Sequence, residues 1–362
     1  MFIEVTHIVV VAAAPARHSP TKDWTLMRAW TLDDFGFDNL TLRDVEVPSP
    51  GPHDLLVKVS AVSLNYRDKA LVEGVYAPEK MPKGLIVGAD SAGVVAAVGS
   101  EVTRYRVGDR VTSHFYSKWI DGPWEEEYPD SMIGGPIDGG LAEYMLLHEE
   151  RVVKSPDSLS DTEAATLPIA ALTAWFSLFE HGHLNPSGSV VVQGTGGVSM
   201  FAIQIASALG ARVIATSSSD KKLAIARSLG ATDTINYRTT PDWAAQVLEL
   251  TGGKGVDVVV DVAGGDGVND SVRAAKAGGV VALVGFLSGQ TSNLDVMNVL
   301  FRQTTIQGIA VGHRRAFEEL VAFLDEHQIK PVLDSTFRFE DAKEAYDRLA
   351  QGPLGKVVIE IA

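Results

Sequence analysis

The residues with the clearest chemistry are six in a row, Gly194-Thr195-Gly196-Gly197-Val198-Ser199, because they follow the apolar run Val190-Val191-Val192-Gln193 and precede a helical pattern. Glycine at 194 permits a tight turn, and glycine at 196 lets the backbone approach a pyrophosphate. The free N–H groups and dipole of the following helix then bind its charge. The third glycine of the usual dinucleotide fingerprint is here Ser199, a change expected to loosen helix-on-strand packing and to be offset by Gly197. Beyond the next strand the chain reads Ala215-Thr216-Ser217-Ser218-Ser219-Asp220-Lys221-Lys222. A site for NAD carries an acid there to accept the ribose hydroxyls. Small hydroxyls followed by two cations suit a phosphate instead, so the cofactor expected is NADP, with NADPH preferred over NADH. Asp220 stands against this, but its position before a helix marks it as an N-cap.

Such a turn needs a parallel sheet around it, and the sequence supplies one. Apolar strand patterns over residues 189–193, 212–216, 234–237, 256–262, 280–284 and 305–310 alternate with helical patterns over 200–209, 221–229, 242–250 and 268–275. Near-continuous Val and Ile in the strands indicates burial on both faces, hence an α/β Rossmann fold with a doubly wound parallel sheet of about six strands. Residues 27–153 differ: short β-like segments broken by Gly and Pro clusters suit a small barrel-like β domain. A long segment over residues 113–140, rich in Gly, Pro, Trp and acid, is expected to be functional or mobile. Two helical patterns at 316–326 and 340–349 and a strand at 356–361 are expected to return to the first domain and make it discontinuous.

Composition sets the outer limits. The 362 residues suffice for two domains, and 46% hydrophobic with 21% charged residues is an ordinary globular balance. Thirty-one Lys and Arg against 46 Asp and Glu give a net charge of -15, a field that repels nucleic acid. The absence of Cys excludes disulfides, a Cys nucleophile, iron–sulfur clusters and thiolate zinc sites. No apolar run approaches the ~20 residues of a membrane span. The apolar patch at residues 8–14 follows Glu4 with no Lys or Arg before it, so it lacks the positive region of a signal peptide. Residues 1–26 read as a disordered extension, with Met27 as the alternative start, and the cytoplasm as the default location.

Four ordered motifs carry a resemblance: Val87-Gly88-Ala89-Asp90-Ser91-Ala92-Gly93, Val107-Gly108-Asp109-Arg110-Val111, Leu167-Pro168-Ile169-Ala170-Ala171-Leu172-Thr173-Ala174-Trp175, and the glycine turn. Together, over nearly all of residues 27–362, they resemble the medium-chain dehydrogenase/reductase superfamily and within it the zinc-free quinone oxidoreductase branch. The resemblance implies a GroES-like β-barrel catalytic domain (27–155 and 314–362) and a Rossmann cofactor-binding domain (156–313), with the active site between them. It also implies that the zinc-ligand positions of related alcohol dehydrogenases are filled by Asn65 and by Gly88-Ala89-Asp90, so no metal is expected. His181-Gly182-His183, the one close His pair, is expected to cap or cover a helix.

By position, the resemblance implies Asn65 and Thr173 beside the nicotinamide and its ribose, and Gly194, Gly196, Gly197 and Val198 at the pyrophosphate. Val262 and Gly264 then border the adenine side, and Gly285 and Phe286 close over the nicotinamide half. Lys222 and Tyr237, with Ser218, bracket the 2′-phosphate. Without a Lewis acid, hydride transfer favours an acceptor whose developing charge is already delocalised, a quinone or conjugated carbonyl. Asn65 can donate through its amide and Tyr66 can donate a proton or hydrogen bond, while Arg67 and Asp68 are expected to pair with each other. His114 and Tyr116 are weaker candidates at the mouth of the long loop. The alternatives are an enoyl-thioester reductase, another zinc-free alcohol dehydrogenase-like enzyme, and a non-catalytic NADPH-binding protein. The partners implied are a small-molecule substrate and a second copy of the chain, joined through the apolar sixth strand at the sheet edge.

Overall fold

The computed structural model describes residues 25–361 apart from residue 77. The expected extension lies outside the described residues as far as residue 24, and the first strand begins at Leu26. Strands then dominate: β1 (Leu26–Leu32), β2 (Leu40–Glu46), β3 (Asp54–Leu64), β4 (Leu85–Ile86), β5 (Asp90–Val98), β6 (Arg110–Ser113), β7 (Tyr144–His148) and β8 (Val152–Lys154), with α1 (Tyr66–Val72) directly after β3. Next come α2 (Asp161–Ala164) and a helical run over residues 167–180, buried as far as Leu178, with α3 (Leu172–Trp175) at its centre.

The second domain alternates β9 (Ser189–Gln193), α4 (Gly197–Leu209), β10 (Arg212–Ser217), α5 (Asp220–Ser228), β11 (Asp233–Asn236), α6 (Trp243–Leu250), β12 (Val256–Asp261), α7 (Val268–Ala274), β13 (Ala275–Leu283), α8 (Val296–Arg302) and β14 (Thr305–Gly308). Its six strands are parallel in the order β11-β10-β9-β12-β13-β14, the doubly wound arrangement. Alternation along the strands builds two cores. Val190, Val192, Val258 and Val260 enter one cluster while Val191 and Val259 enter another on the opposite face, which is why these strands read as continuous apolar runs.

The chain then forms α9 (Arg314–His327), β15 (Leu333–Arg338), α10 (Ala342–Ala350) and β16 (Lys356–Glu360). The larger catalytic-domain sheet runs β15-β16-β3-β5-β6-β8, with β7 also on β3, and β2-β1-β4 form a small second sheet. Strand β16 pairs antiparallel with residues 61–64 of β3. Helix α9, within the expected 314–362 return, packs on α3 and β8 between the domains, so the chain rejoins the catalytic sheet only at β15. Among the described residues no helix is long and apolar enough to cross a membrane.

Candidate active site

The glycine turn leaves β9 with Gly194 at φ +72 and its N–H bonded to the Thr216 carbonyl at 2.8 Å. Gly196 is the N-cap of α4, where no side chain caps the helix, and a Cβ there would meet nothing within 4 Å. An open face of free N–H groups at a helix start is what a diphosphate requires. Ser199 does not loosen the packing as expected: it is buried, and its hydroxyl donates to the Gln193 carbonyl at 2.7 Å. Gly197 serves a different contact, since a Cβ on it would lie 2.6 Å from Cδ of Lys356 and 3.2 Å from Cβ of Ala170. Ala170 belongs to the same helical run as the buried Thr173, and α3 packs against α4.

At the end of β10, the Tyr237 N–H donates to the Ser217 carbonyl at 3.1 Å, which brings the half-exposed Tyr237 beside Ser217 and Ser218. The N-cap of α5 is Ser219, not Asp220. Asp220 is the first helical residue, and its carboxylate accepts from Asn236 Nδ2 at 2.7 Å. Lys222 donates through Nζ to the Gly352 carbonyl at 2.8 Å, across to the loop before β16.

Beyond β12 and β13 two glycines press one backbone on another. A Cβ on Gly264, at φ +66, would lie 2.5 Å from the Gly285 carbonyl, and one on Gly285 would lie 2.2 Å from the Val262 carbonyl. Asp261, which the sequence reading passed over, holds this junction. Its carboxylate accepts from the Ala263 and Gly264 N–H groups at 3.0 and 2.9 Å and from Ser271 Oγ at 2.6 Å, and Ser271 in turn accepts from Gln193 Nε2 at 2.8 Å. Its sequence signal was an acid at a strand end before Ala263-Gly264-Gly265. Phe286 leaves the junction toward the other domain and meets the half-exposed Tyr66 edge-on at 5.6 Å.

Tyr66 opens α1, and Asn65 is the N-cap before it, its N–H donating to Asp68 Oδ2 at 2.8 Å. The Asn65 amide does not donate to the cleft as expected. Its Nδ2 donates to Asp90 Oδ2 at 2.9 Å and to the Ser63 carbonyl at 3.5 Å, and Oδ1 accepts from Lys356 Nζ at 2.5 Å. Neither Lys356 nor Asp90 stood out as a side chain with chemistry. Both are buried, 3.7 Å apart. Burial pushes the Asp90 carboxyl up to about 7 against the lowering pull of Lys356 and the Asn65 bond, and burial likewise pulls the Lys356 ammonium down. Arg67 pairs with Asp68 at 3.2 Å, but it also donates to the Gly134 carbonyl at 2.8 Å and lies over the rings of Tyr76 and Phe115, pinning the long loop.

That loop is packed rather than open. Trp119 stacks on Tyr128 and meets Phe176, and its carbonyl accepts the Arg314 N–H at the start of α9. His114 and Tyr116 are therefore core residues, not residues at a mouth: His114 is fully buried with Nε2 3.1 Å from the Gly312 carbonyl. His181 lies against Phe176, and among the described residues no group of three or more His, Asp or Glu could hold a metal ion.

A family model described as alcohol dehydrogenase GroES-like domain matches residues 51–157, and one described as zinc-binding dehydrogenase matches residues 197–326. A zinc-type alcohol dehydrogenase-like protein of Schizosaccharomyces pombe is 41% identical over 90% of this chain and 96% of its own length. A quinone oxidoreductase of Pseudomonas aeruginosa is 31% identical over 87% and 93%. The solved structure of a Sinorhizobium meliloti protein proposed to be an alcohol dehydrogenase superposes with a TM-score of 0.87 at 44% identity, covering 93% of this chain and 99% of that one. The donor set does not fit the zinc that one description names. Zinc prefers thiolate and imidazole, whereas residue 65 offers an amide oxygen already bonded to an ammonium, residue 89 is Ala, and the chain has no Cys.

Proposed function

We propose that this chain, which belongs to the medium-chain dehydrogenase/reductase superfamily, is an NADPH-dependent reductase of quinones or related conjugated carbonyls that works without zinc. The observation that carries this reading is the seam between the domains. There the glycine turn of α4, Tyr66 and Phe286 come together around an amide, a carboxylate and an ammonium, with no metal donor set among the described residues. The nicotinamide cofactor supplies the hydride.

The residues divide the work. Gly196, Gly197 and Val198 hold the diphosphate through backbone N–H groups and the start of α4, while Gly194, whose own N–H is bonded to Thr216, makes the turn that lets it approach. Ser218, Lys222 and Tyr237 hold the 2′-phosphate, Lys222 exchanging the Gly352 carbonyl for it. Val262 and Gly264 border the adenine side, Asn65 and Thr173 the nicotinamide and its ribose, and Gly285 with Phe286 cover the nicotinamide half. An acceptor with delocalised charge needs a hydrogen-bond donor rather than a Lewis acid, and the Tyr66 hydroxyl is that donor. The working form is a homodimer, joined at β14 and the apolar surface of α8.

Following NADPH oxidation over a panel of quinones, enones and enoyl thioesters tests the reading. Turnover of quinones or enones is expected. Turnover confined to enoyl thioesters would move the substrate class, and tight NADPH binding with no turnover of any acceptor would leave a nucleotide-binding protein.

A further inference from the structure

A primary amide has two N–H groups, and both of those on Asn65 are committed inside the protein, to Asp90 and to the Ser63 carbonyl. Its rotation is unambiguous, because one neighbour only donates and the other is an acidic acceptor. Lys356 approaches from β16, its stem against Gly197 at the head of α4, and its ammonium donates both to Asn65 Oδ1 and to the Leu64 carbonyl, at 2.5 and 2.9 Å. Asp90 approaches from β5, and its second oxygen is buried without a partner in the described structure. Packing alone does not call for this cluster: an apolar pair of similar volume commonly fills such a seam with equal or better stability, and an unpartnered buried oxygen costs free energy.

We propose that Lys356 and Asp90 are positioning residues for the reduction, which turn the Asn65 carboxamide so that it meets the cleft as an acceptor, through the remaining lone pair of Oδ1, and never as a donor. Asn65 then orients a hydroxyl, such as that of the cofactor ribose, and donation to the substrate is left to Tyr66. The inference rests on the reading of Asn65 as a contact of the nicotinamide half.

The charged groups facing Asp90 are Lys356 from β16 and Asp68 from α1, the latter paired with Arg67, while the helical run over residues 167–180 adds the Ile169 N–H at 3.4 Å. Protonation of Asp90 weakens it as an acceptor for Asn65 and so loosens the lock. The arrangement is therefore sensitive to pH near neutrality.

Two measurements on the full chain test it. In protein labelled with nitrogen-15 at asparagine, the side-chain amide signal lost in Asn65→Ala belongs to Asn65. It is expected to move with pH around about 7 in the wild type, to stop doing so in Asp90→Asn, and to shift in Lys356→Met but little in Lys356→Arg. In NADPH-dependent quinone reduction, Lys356→Met is expected to lower kcat by about tenfold to a hundredfold, the cost of misplacing a contact by about an ångström. NADPH affinity should change little, and Lys356→Arg should restore most of the rate. Added to Asn65→Ala, Lys356→Met should cost nothing further. An Asn65 signal indifferent to Lys356→Met and to pH overturns the proposal. So does a loss from Lys356→Met as large in the Asn65→Ala background as in the wild type. Should Lys356→Met fail to fold, Lys356→Arg and the wild-type titration still decide it. Undiminished turnover in Asn65→Ala is a separate result that removes Asn65 from the site, and the positioning role with it.

Discussion

Tyr66 and Phe286, one from each domain, meet edge to face with ring centroids 5.6 Å apart and planes at 70°. The contact joins the two domains and leaves Tyr66 about half-exposed. Tyr66→Phe keeps the ring contact and removes only the hydroxyl. It should lower kcat by about a hundredfold, the low end for general acid catalysis, with KM nearly unchanged. Tyr66→Ala should raise KM as well. Wild-type kcat in Tyr66→Phe by steady-state kinetics would exclude the hydroxyl from proton delivery.

Lys222 is expected to set cofactor choice. A charge-assisted bond to the 2′-phosphate contributes about 1.5–3 kcal/mol, so Lys222→Ala should weaken NADPH binding about tenfold to a hundredfold and leave NADH almost unchanged. The exposed Lys221 serves as the internal control. Fluorescence titration of both cofactors against the two variants decides it; equal losses for NADPH and NADH would mean that the phosphate lies elsewhere.

Metal should be dispensable. With an ammonium on the Asn65 oxygen and Ala at residue 89, the purified protein is expected to hold no stoichiometric zinc and to keep its activity in chelator. One tightly bound equivalent by elemental analysis contradicts this.

A dimer is expected at the edge of the cofactor-domain sheet. Strand β14 is the last of the six, and on α8 beside it Leu300 and Phe301 are 65% and 81% exposed, with Val296 and Met297 also exposed. Exposed apolar surface next to an open strand edge marks an association site. Light scattering at micromolar concentration should give twice the chain mass of 38.7 kDa, and Phe301→Asp should shift it toward the monomer. A monomer mass for the wild type would rule the dimer out.

His114 should make stability fall in mild acid. Burial pulls its imidazole down to about 4 from an ordinary 6.5, despite the opposing bond to Gly312. The folded chain therefore binds the proton less tightly than the unfolded chain. Its stabilising contribution is complete above 6.5 and is lost as pH falls toward 4. Between about pH 7.5 and about pH 5.5 the wild type should lose about 1.4 kcal/mol more than His114→Gln, read from urea unfolding. Equal losses would show that another group titrates.

The cofactor domain was legible because its strands carry their own signature: β9 runs from Ser189 to Gln193, as the apolar run suggested. Helix α4 was read three residues late, from Met200, since its apolar period starts there while its first turn is Gly197-Val198-Ser199. The catalytic domain was legible only in outline, because a strand such as β3, shared among β5, β7 and β16, advertises no partners locally. The resemblance singled out Asn65, and Tyr66 was a candidate as the phenol beside it, but what Asn65 does with its amide was not legible. That depends on Lys356, whose local setting, Gly355-Lys356-Val357, says nothing of a partner 291 residues away.

That separation orders the assembly of the protein in time. The six strands of the cofactor-domain sheet are contiguous in the chain, β9 through β14, and all have been synthesised before β16 exists. The catalytic sheet must wait: Ser63 of β3 bonds to Val357, 294 residues later, and closing so long a loop is slow. On the ribosome, β7 has already paired with residues 54–58 of β3, but residues 61–64 on that edge lack their partner strand until β16 emerges. Because that strand also brings Lys356, the sheet and the Asn65 amide are completed by the same late event.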